Sequence, residues 1–406
     1  MSRTARPRER SETPRKRGLL ARVSLGRSFS AVPLELLLLV SAALILTAFG
    51  AVMVLSATSV ESIGAGKSPY DGALKHGAFV VIGIPIMFLL SRFSVGFFRG
   101  VAWAALGLGL ALQLLVFTPL GYEVGGNRNW INVAGFTMQP SELLKLAFVV
   151  WLGCVLYRKR GVLTSWKHVF VPIVPVSAIV IGSVLAGKDL GTGMILFLIA
   201  LAGLFFAGMK PGMFLPPVLL SIVAVVGLAV ASPNRMRRIM SFLDEDCDYY
   251  KECYQPTHGL WALAEGGVFG LGLGNSKQKY GWLPAAADDY IFAIVGEELG
   301  LIGCAVVLAL FALYAYAGLR IVRRSDDLFV RVVSGAMTTW IVGQAFVNIG
   351  VVIGVFPVLG VPLPFLSSGG TSLLAVLMGT GVLMAAARTL PPIEQGLGSG
   401  RTRIAE

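Results

Sequence analysis

The chain reads as an all-α polytopic membrane protein, and two observations decide that class. Hydrophobic residues make up 55% of its 406 positions and charged residues only 14%, far from the balance of a soluble domain. The apolar residues gather into stretches near the ~20 residues that a helix needs to cross a ~30 Å hydrocarbon core. Backbone polar groups cannot be left unpaired in lipid, so each stretch must be a helix.

Taken in order, the chain opens on residues 1–30, an Arg/Pro/Ser-rich segment with nine Arg/Lys among the first 27 residues and no apolar core of a signal peptide. It is expected to be a disordered cytoplasmic tail. Ten spans are predicted next, at 32–56, 75–91, 97–119, 140–157, 170–186, 190–208, 213–232, 290–319, 330–355 and 371–387. They form one integrated unit, 31–390, with a large outer loop at 232–289 between the seventh and eighth spans. A second cytoplasmic tail, 391–406, closes the chain.

Net charge is +12, which would suit nucleic acid, but its distribution reports topology instead. Basic residues recur at Arg92, Arg99, Arg158, Lys159, Arg160, Lys167, Lys210, Arg320, Arg323 and Arg324, in alternate loops on the side of the N-terminus. The opposite loops, such as 120–139 and 356–370, are nearly free of Lys/Arg. This pattern puts both termini in the cytoplasm and the 232–289 loop outside. Arg235, Arg237 and Arg238 stand in that loop against the rule, and a cationic cluster kept there suits an anionic ligand.

Four polar motifs crowd onto the outer face. In GGNRNWINVAGFTMQPSELLKLAF, Pro140 suits the first turn of a helix, and Glu142 and Lys145 follow at i, i+3 on one face. They are either a pair at a helix start or the lining of a polar cavity, and the cavity is favoured. In GKDLGT, Asp189 is suited to cap the sixth span. The outer loop carries NRMRRIMSFLD, then YQPTHGLWALAEGGVFGLGLGNSKQKYGWLP, then Asp288 and Asp289. Its glycines permit tight turns and close backbone approach, but the spacing of a P-loop is absent. Last comes VFPVLGVPLPFLSSGGTSLL, whose broken backbone is tolerated at membrane depth only where it lines a cavity.

Carboxylates at and below a bilayer surface are expensive, and so mark functional candidates. Asp289 is either the N-cap of the eighth span or a working carboxylate. Cys154 and Cys304 fall within spans. Cys247 and Cys253 flank DYYKE in the outer loop, where an oxidising exterior permits a disulfide; two free thiols are the alternative. His76, His168 and His258 are scattered and give no zinc spacing. His258 is read as a solvated loop histidine before a proton shuttle.

This combination resembles the SEDS family (shape, elongation, division and sporulation proteins, FtsW and RodA). The resemblance runs from the first span to Leu390 and rests on QPSELLKL, DLGT, RMRRIMSFLD, GLGNSKQK, LPAAADDYIFAIVGEELG and PLPFLSSGG, in that order. GLGNSKQK with GEELG is nearer the division branch. Membership implies a peptidoglycan glycosyltransferase that polymerises lipid II at the outer face of the cell membrane, in septal wall synthesis. It also implies a class B penicillin-binding protein transpeptidase and other divisome membrane proteins as partners. The family's essential aspartate precedes an aromatic-Ile-Phe-Ala string, which maps it to Asp289. Ala285-Ala286-Ala287-Asp288 replaces the usual Glu-Ala-His/Asn/Thr, making Asp288 a rival, and Gly187-Lys188 replaces Gln-Pro before Asp189.

The implied chemistry needs a base for the acceptor sugar's 4-hydroxyl, with Asp289 the candidate. It also needs cations for the departing diphosphate. Substrate-binding candidates are Glu142, Lys145, Arg235, Arg238, Lys279 and Ser368. A divalent cation, Mg or Mn, would assist the leaving group, although the sequence holds no dedicated cage. The competing readings are a lipid II flippase, for which Glu297 and Glu298 would line a path, and a non-catalytic divisome scaffold.

Overall fold

A computed structural model describes residues 33–133, 136–163, 165–219, 227, 236–237, 240–242 and 247–391. The two tail segments before Pro33 and after Pro391, Arg235, Arg238 and most of the span expected at 213–232 lie outside the described residues.

Helices α1 (Leu34–Gly64), α2 (Asp71–Leu90) and α3 (Val95–Leu114) come first. A three-stranded antiparallel sheet follows: β1 (Gly121–Val124), β2 (Asn127–Val133) and β3 (Phe136–Met138). Next are α4 (Pro140–Arg158), α5 (Trp166–Ala186), α6 (Leu190–Phe206) and α7 (Tyr254–Gly266). The chain ends with α8 (Ile291–Arg324), α9 (Leu328–Val352) and α10 (Gly370–Ala387). Seven of these, α1 to α4 and α8 to α10, are long and apolar enough to cross a membrane, while α5 and α6 contribute shorter apolar helices. Nine of the ten expected spans therefore appear as helices among the described residues.

Burial sorts them into inner and outer positions. α4, α9 and α10 bury 89%, 72% and 83% of their most apolar windows, whereas α2 and α3 bury 17% and 28%. The inner helices read as apolar all round because protein surrounds them. α2 and α3 instead turn Val81, Ile82, Trp103 and Leu108 outward, which suits lipid. Small residues allow the close approaches: Gly83 meets the Leu377 side chain, Gly153 meets Val333, and Gly203 meets Leu152, each leaving under 3 Å for a Cβ, as at helix contacts in bilayers.

Two features depart from the sequence reading. The 120–139 loop is a sheet, not an irregular connection. Gly125 and Gly126, at φ 58° and 85°, form the two-residue turn joining β1 to β2, a geometry that demands positive φ at both central positions. The signal was present, as a Gly-Gly pair ahead of the alternating NRNWINV. The outer loop likewise contains α7.

The second departure is a break in α8. Gly300 is non-helical, at φ 67°, which frees carbonyls on one side and N–H groups on the other. The glycine-rich stretch after α7 takes them up. Leu271 and Gly272 donate to the carbonyls of Glu297 and Glu298 at 2.9 Å each. Leu301 and Ile302 donate to Gly267 and Val268 carbonyls at 2.9 and 3.3 Å. The loop thus plugs the break and pairs backbone that lipid could not.

Candidate functional site

Asp288 and Asp289 end the turn that leads into α8. Ala285 sits at φ 53°, and its carbonyl accepts the N–H groups of both Asp288 and Tyr290, at 3.1 and 3.2 Å. Tyr290 occupies the N-cap position, with no side-chain cap, so Asp289 is not the N-cap of this helix. The Asp289 carbonyl accepts Asn348 Nδ2 at 2.7 Å, and the same nitrogen donates to the Val361 carbonyl at 2.7 Å. Its half-buried carboxylate lies against Gly360, where an added Cβ would be 3.6 Å from Oδ2. One α9 amide therefore positions the aspartate and the 353–369 segment above it.

Asp288 faces the PLPFLSSGG segment. Its carboxylate accepts the Ser368 hydroxyl, its carbonyl accepts the Ser367 hydroxyl at 2.6 Å, and Ser368 N–H donates to the Ala287 carbonyl at 2.9 Å. Solvent reaches the carboxylate, yet protein walls it on most sides. That desolvation pushes the Asp288 carboxyl above the usual range, with the Ser368 hydroxyl pulling it down.

One helical turn from Asn348, on the same face of α9, Gln344 joins a second cluster. Lys145 Nζ contacts Glu142 Oε1 at 2.9 Å and Gln344 Oε1 at 2.8 Å, and both members of the pair are 1% exposed. Trp340 Nε1 also donates to Gln344 Oε1, at 2.9 Å, and Gln344 Nε2 donates to the Pro362 carbonyl at 2.8 Å. Glu142 and Lys145 are thus buried partners in the interior. Glu142 Oε2 is buried without a hydrogen-bond partner, an open acceptor beside the pair. Sequence reasoning missed Gln344 and Asn348. Their signal was two amides at i, i+4 in an otherwise apolar span.

Asp189 does more than cap α6. Its Oδ1 accepts Thr192 N–H at 2.9 Å, while Oδ2 accepts Thr192 Oγ1 at 2.9 Å, Asn129 Nδ2 at 2.8 Å and Gln139 Nε2 at 3.1 Å. One buried carboxylate thereby binds β2, the start of α4 and the start of α6. Gln139 N–H reaches Thr371 Oγ1 at 3.4 Å, which brings in α10. Lys188 adopts φ 65°, a backbone that proline cannot take, so the residue that departs from the family's pattern has its own turn.

Glu297 and Glu298 are both wholly buried and hold the outer loop. Glu297 accepts the Ser276 hydroxyl and the N–H groups of Lys277 and Gln278, at 2.5, 2.6 and 3.3 Å. Glu298 Oε1 accepts Ser56 Oγ at 2.6 Å and pairs with Lys279 Nζ at 3.0 Å. Lys279 Nζ also donates to Ser56 Oγ at 2.9 Å and to the Gly274 carbonyl at 2.8 Å. All three ammonium protons of Lys279 are committed, and the residue is 6% exposed. These bonds give Lys279 a part in locking the loop to α1 and α8.

Cys247 and Cys253 form the disulfide, with Cα atoms 6.0 Å apart, and Cys154 and Cys304 are buried free thiols. His258, read as a solvated histidine, is 3% exposed. Its Nδ1 contacts Gln278 Oε1 at 2.7 Å and its Nε2 contacts the Tyr249 hydroxyl at 2.9 Å. Among the described residues no three His, Cys, Asp or Glu side chains gather as metal ligands.

Residues 36–391 match the family model FtsW/RodA/SpoVE, described as a cell cycle protein. The chain is 39% identical over 365 residues to the probable peptidoglycan glycosyltransferase FtsW of Mycobacterium tuberculosis, covering 90% of this chain and 70% of that one. It is 36% identical over 355 residues to stage V sporulation protein E of Bacillus subtilis, covering 87% and 96%. Its fold is similar to a chain of a peptidoglycan synthase complex (TM-score 0.70, 23% identity, 86% and 96% coverage). It is also similar to the rod shape determining protein RodA of Thermus thermophilus (TM-score 0.63, 24% identity, 86% and 95% coverage). A polar core joined along α9 to the outer-loop aspartates, within a match that spans nearly every described helix, places this chain in the FtsW/RodA/SpoVE family.

Proposed function

We propose that this membrane-embedded peptidoglycan glycosyltransferase polymerises lipid II at the outer face of the membrane, in septal wall synthesis, with Asp289 as general base. The observation that carries the reading is the run of polar groups from Asp289 through Asn348 and Gln344 to Lys145 and Glu142. It runs from the main-chain carbonyl of Asp289, at the lip of α8, along one face of α9 to a buried ion pair.

In this mechanism the acceptor's 4-hydroxyl gives its proton to Asp289 while its oxygen attacks the donor's anomeric carbon. The bond to the lipid diphosphate breaks, and the diphosphate leaves with the electron pair. Lys145 and the outer-loop cations Arg235 and Arg238 oppose the charge that develops there. Glu142 holds Lys145 in place, and Ser368 holds Asp288 beside the base. A divalent cation, if held by the carboxylates of Asp288 and Asp289, would neutralise the diphosphate further.

The same reading explains Glu297 and Glu298. Glu297 accepts from Ser276, Lys277 and Gln278, and Glu298 Oε1 pairs with Lys279, so both brace the outer loop, which favours a polymerase over a flippase. A class B transpeptidase and other divisome membrane proteins are the proposed partners. In support, a structural relative was described in a complex that coordinates polymerization and crosslinking. The deciding experiment is purified protein in liposomes supplied with lipid II, alone and with a candidate transpeptidase. Glycan chains in the product support the reading; lipid II that is only translocated, or left unused in both arms, overturns it.

A further inference from the structure

The outer loop gathers aromatic rings that the chemistry at Asp289 does not use. His258 of α7 is surrounded by Tyr249, Tyr254, Trp261 and Trp282, with ring centroids 4.3–6.1 Å from its own. Its two bonded nitrogens fix it between Tyr249 and Gln278, and the Cys247–Cys253 bridge closes the turn that carries Tyr249. The centre of the cluster is therefore rigid. Its outer rings are not covered: Trp261 is 46% exposed and Trp282 57%.

The cluster adjoins the proposed reaction site. α7 packs on Tyr290, the residue after Asp289, so closely that a Cβ on Gly259 would meet its ring at 2.6 Å. Gln255 Nε2 donates to the Pro284 carbonyl at 2.9 Å, just upstream of the two aspartates. Nearby charges are already paired, Lys251 with Asp248 at 2.8 Å and Arg237 with Glu252 at 3.4 Å. An anionic lipid headgroup thus finds no net cation among these side chains.

Half-open indole faces with polar edges match one ligand chemistry well. A pyranose ring presents a face of C–H groups that packs on an aromatic plane, while its hydroxyl and acetamido groups stay at the rim for hydrogen bonding. Trp and Tyr offer that area at low entropic cost, having two side-chain torsions each. We propose that the Trp261–Trp282 face is a carbohydrate platform that holds the N-acetylated amino-sugar strand beside the reaction site and lengthens the time it stays bound. The proposal rests on the polymerase reading for its ligand, and it assigns these rings to strand retention, not to bond formation.

The test uses the full chain in nanodiscs, titrated with soluble N-acetylglucosamine oligomers while tryptophan fluorescence is followed. Saturable quenching is expected. Trp282→Ala and Trp261→Ala should each weaken it by about tenfold, equivalent to ~1.4 kcal/mol, with Trp282→Phe retaining most of the affinity as a check on folding. In lipid II polymerisation the same Ala variants should keep the initial rate and release shorter strands. No saturable quenching of the native protein, or unchanged affinity and strand length in both Ala variants, overturns the platform and leaves the rings to the bilayer interface or a protein partner. Failure of the native protein to polymerise would count against the polymerase reading alone, because the sugar titration still reports on the platform.

Discussion

Asp289 and Asp288 are adjacent carboxylates with different tasks set by their neighbours. Asp289 presents its carboxylate beside Gly360, while Asp288 is held by Ser368. Asp289→Asn keeps the size of the side chain and removes the proton acceptor, so polymerisation should fall by the ~10²–10⁴-fold typical of a lost general base. Asp288→Asn still accepts from Ser368 and should cost far less. Product yield from lipid II with the two purified variants checks this, and a dead Asp288→Asn beside an active Asp289→Asn would move the base one position upstream. The Glu142–Lys145 pair allows a separate test. Removing one member strands a charge in a dry site, at a cost of about 3–5 kcal/mol. Glu142→Gln or Lys145→Met alone should therefore lower the melting temperature in detergent more than both together do. Small additive shifts in that double-mutant cycle would mean that the pair is solvated.

At the level of elements, the break in α8 is the feature that most depends on particular residue types. Gly270 sits at φ 78°, and a Cβ there would lie 2.2 Å from the Glu298 carbonyl oxygen. Gly270→Ala must therefore both strain the backbone and push the loop out of the break. The expected loss exceeds the ~1 kcal/mol of an ordinary Gly/Ala exchange, read as faster thermal inactivation in detergent. Gly274 also has positive φ but meets nothing within 4 Å, so Gly274→Ala carries the backbone strain alone and should be milder. Equal effects at the two positions would show that the close approach to Glu298 contributes nothing.

Across the whole molecule, buried polar bonds tie together segments far apart in sequence. Lys279 and Glu298 join the outer loop, α1 and α8. At the opposite end of α1, Glu35 accepts from Arg320 and Arg324 of α8 at 2.9 and 2.8 Å, so the two long helices are held at both ends. The Arg320 and Arg324 side chains are only partly buried, whereas those of Lys279 and Glu298 are 2% and 0% exposed, so the outer pair should matter more. Lys279→Met leaves Glu298 charged in a closed site and should destabilise by about 3–5 kcal/mol, with Glu298→Gln restoring part of that loss. Limited proteolysis of the outer loop provides the readout. Unchanged cleavage in Lys279→Met would mean that the loop is held by the plug in α8 alone.

The helical class, nine of the ten expected spans among the described residues, and Asp289, Glu142, Lys145 and Asp189 as polar groups set into apolar sequence were legible in the order of residues. Apolar length and basic flanks act locally, and the cost of a carboxylate in lipid marks it wherever it stands. Which polar groups meet was decided only by the tertiary structure. Nothing local to Lys279 announced Glu298 as its partner, which folding set against it from 19 residues away. His258 looked solvated until four rings closed around it. Gln344 and Asn348 carry no charge and raised no alarm in an apolar span, yet they connect the aspartate turn to the buried pair. The physical reason is the same in each case. A side chain's chemistry is intrinsic, but its hydration and its partners depend on contacts that only the assembled helices create.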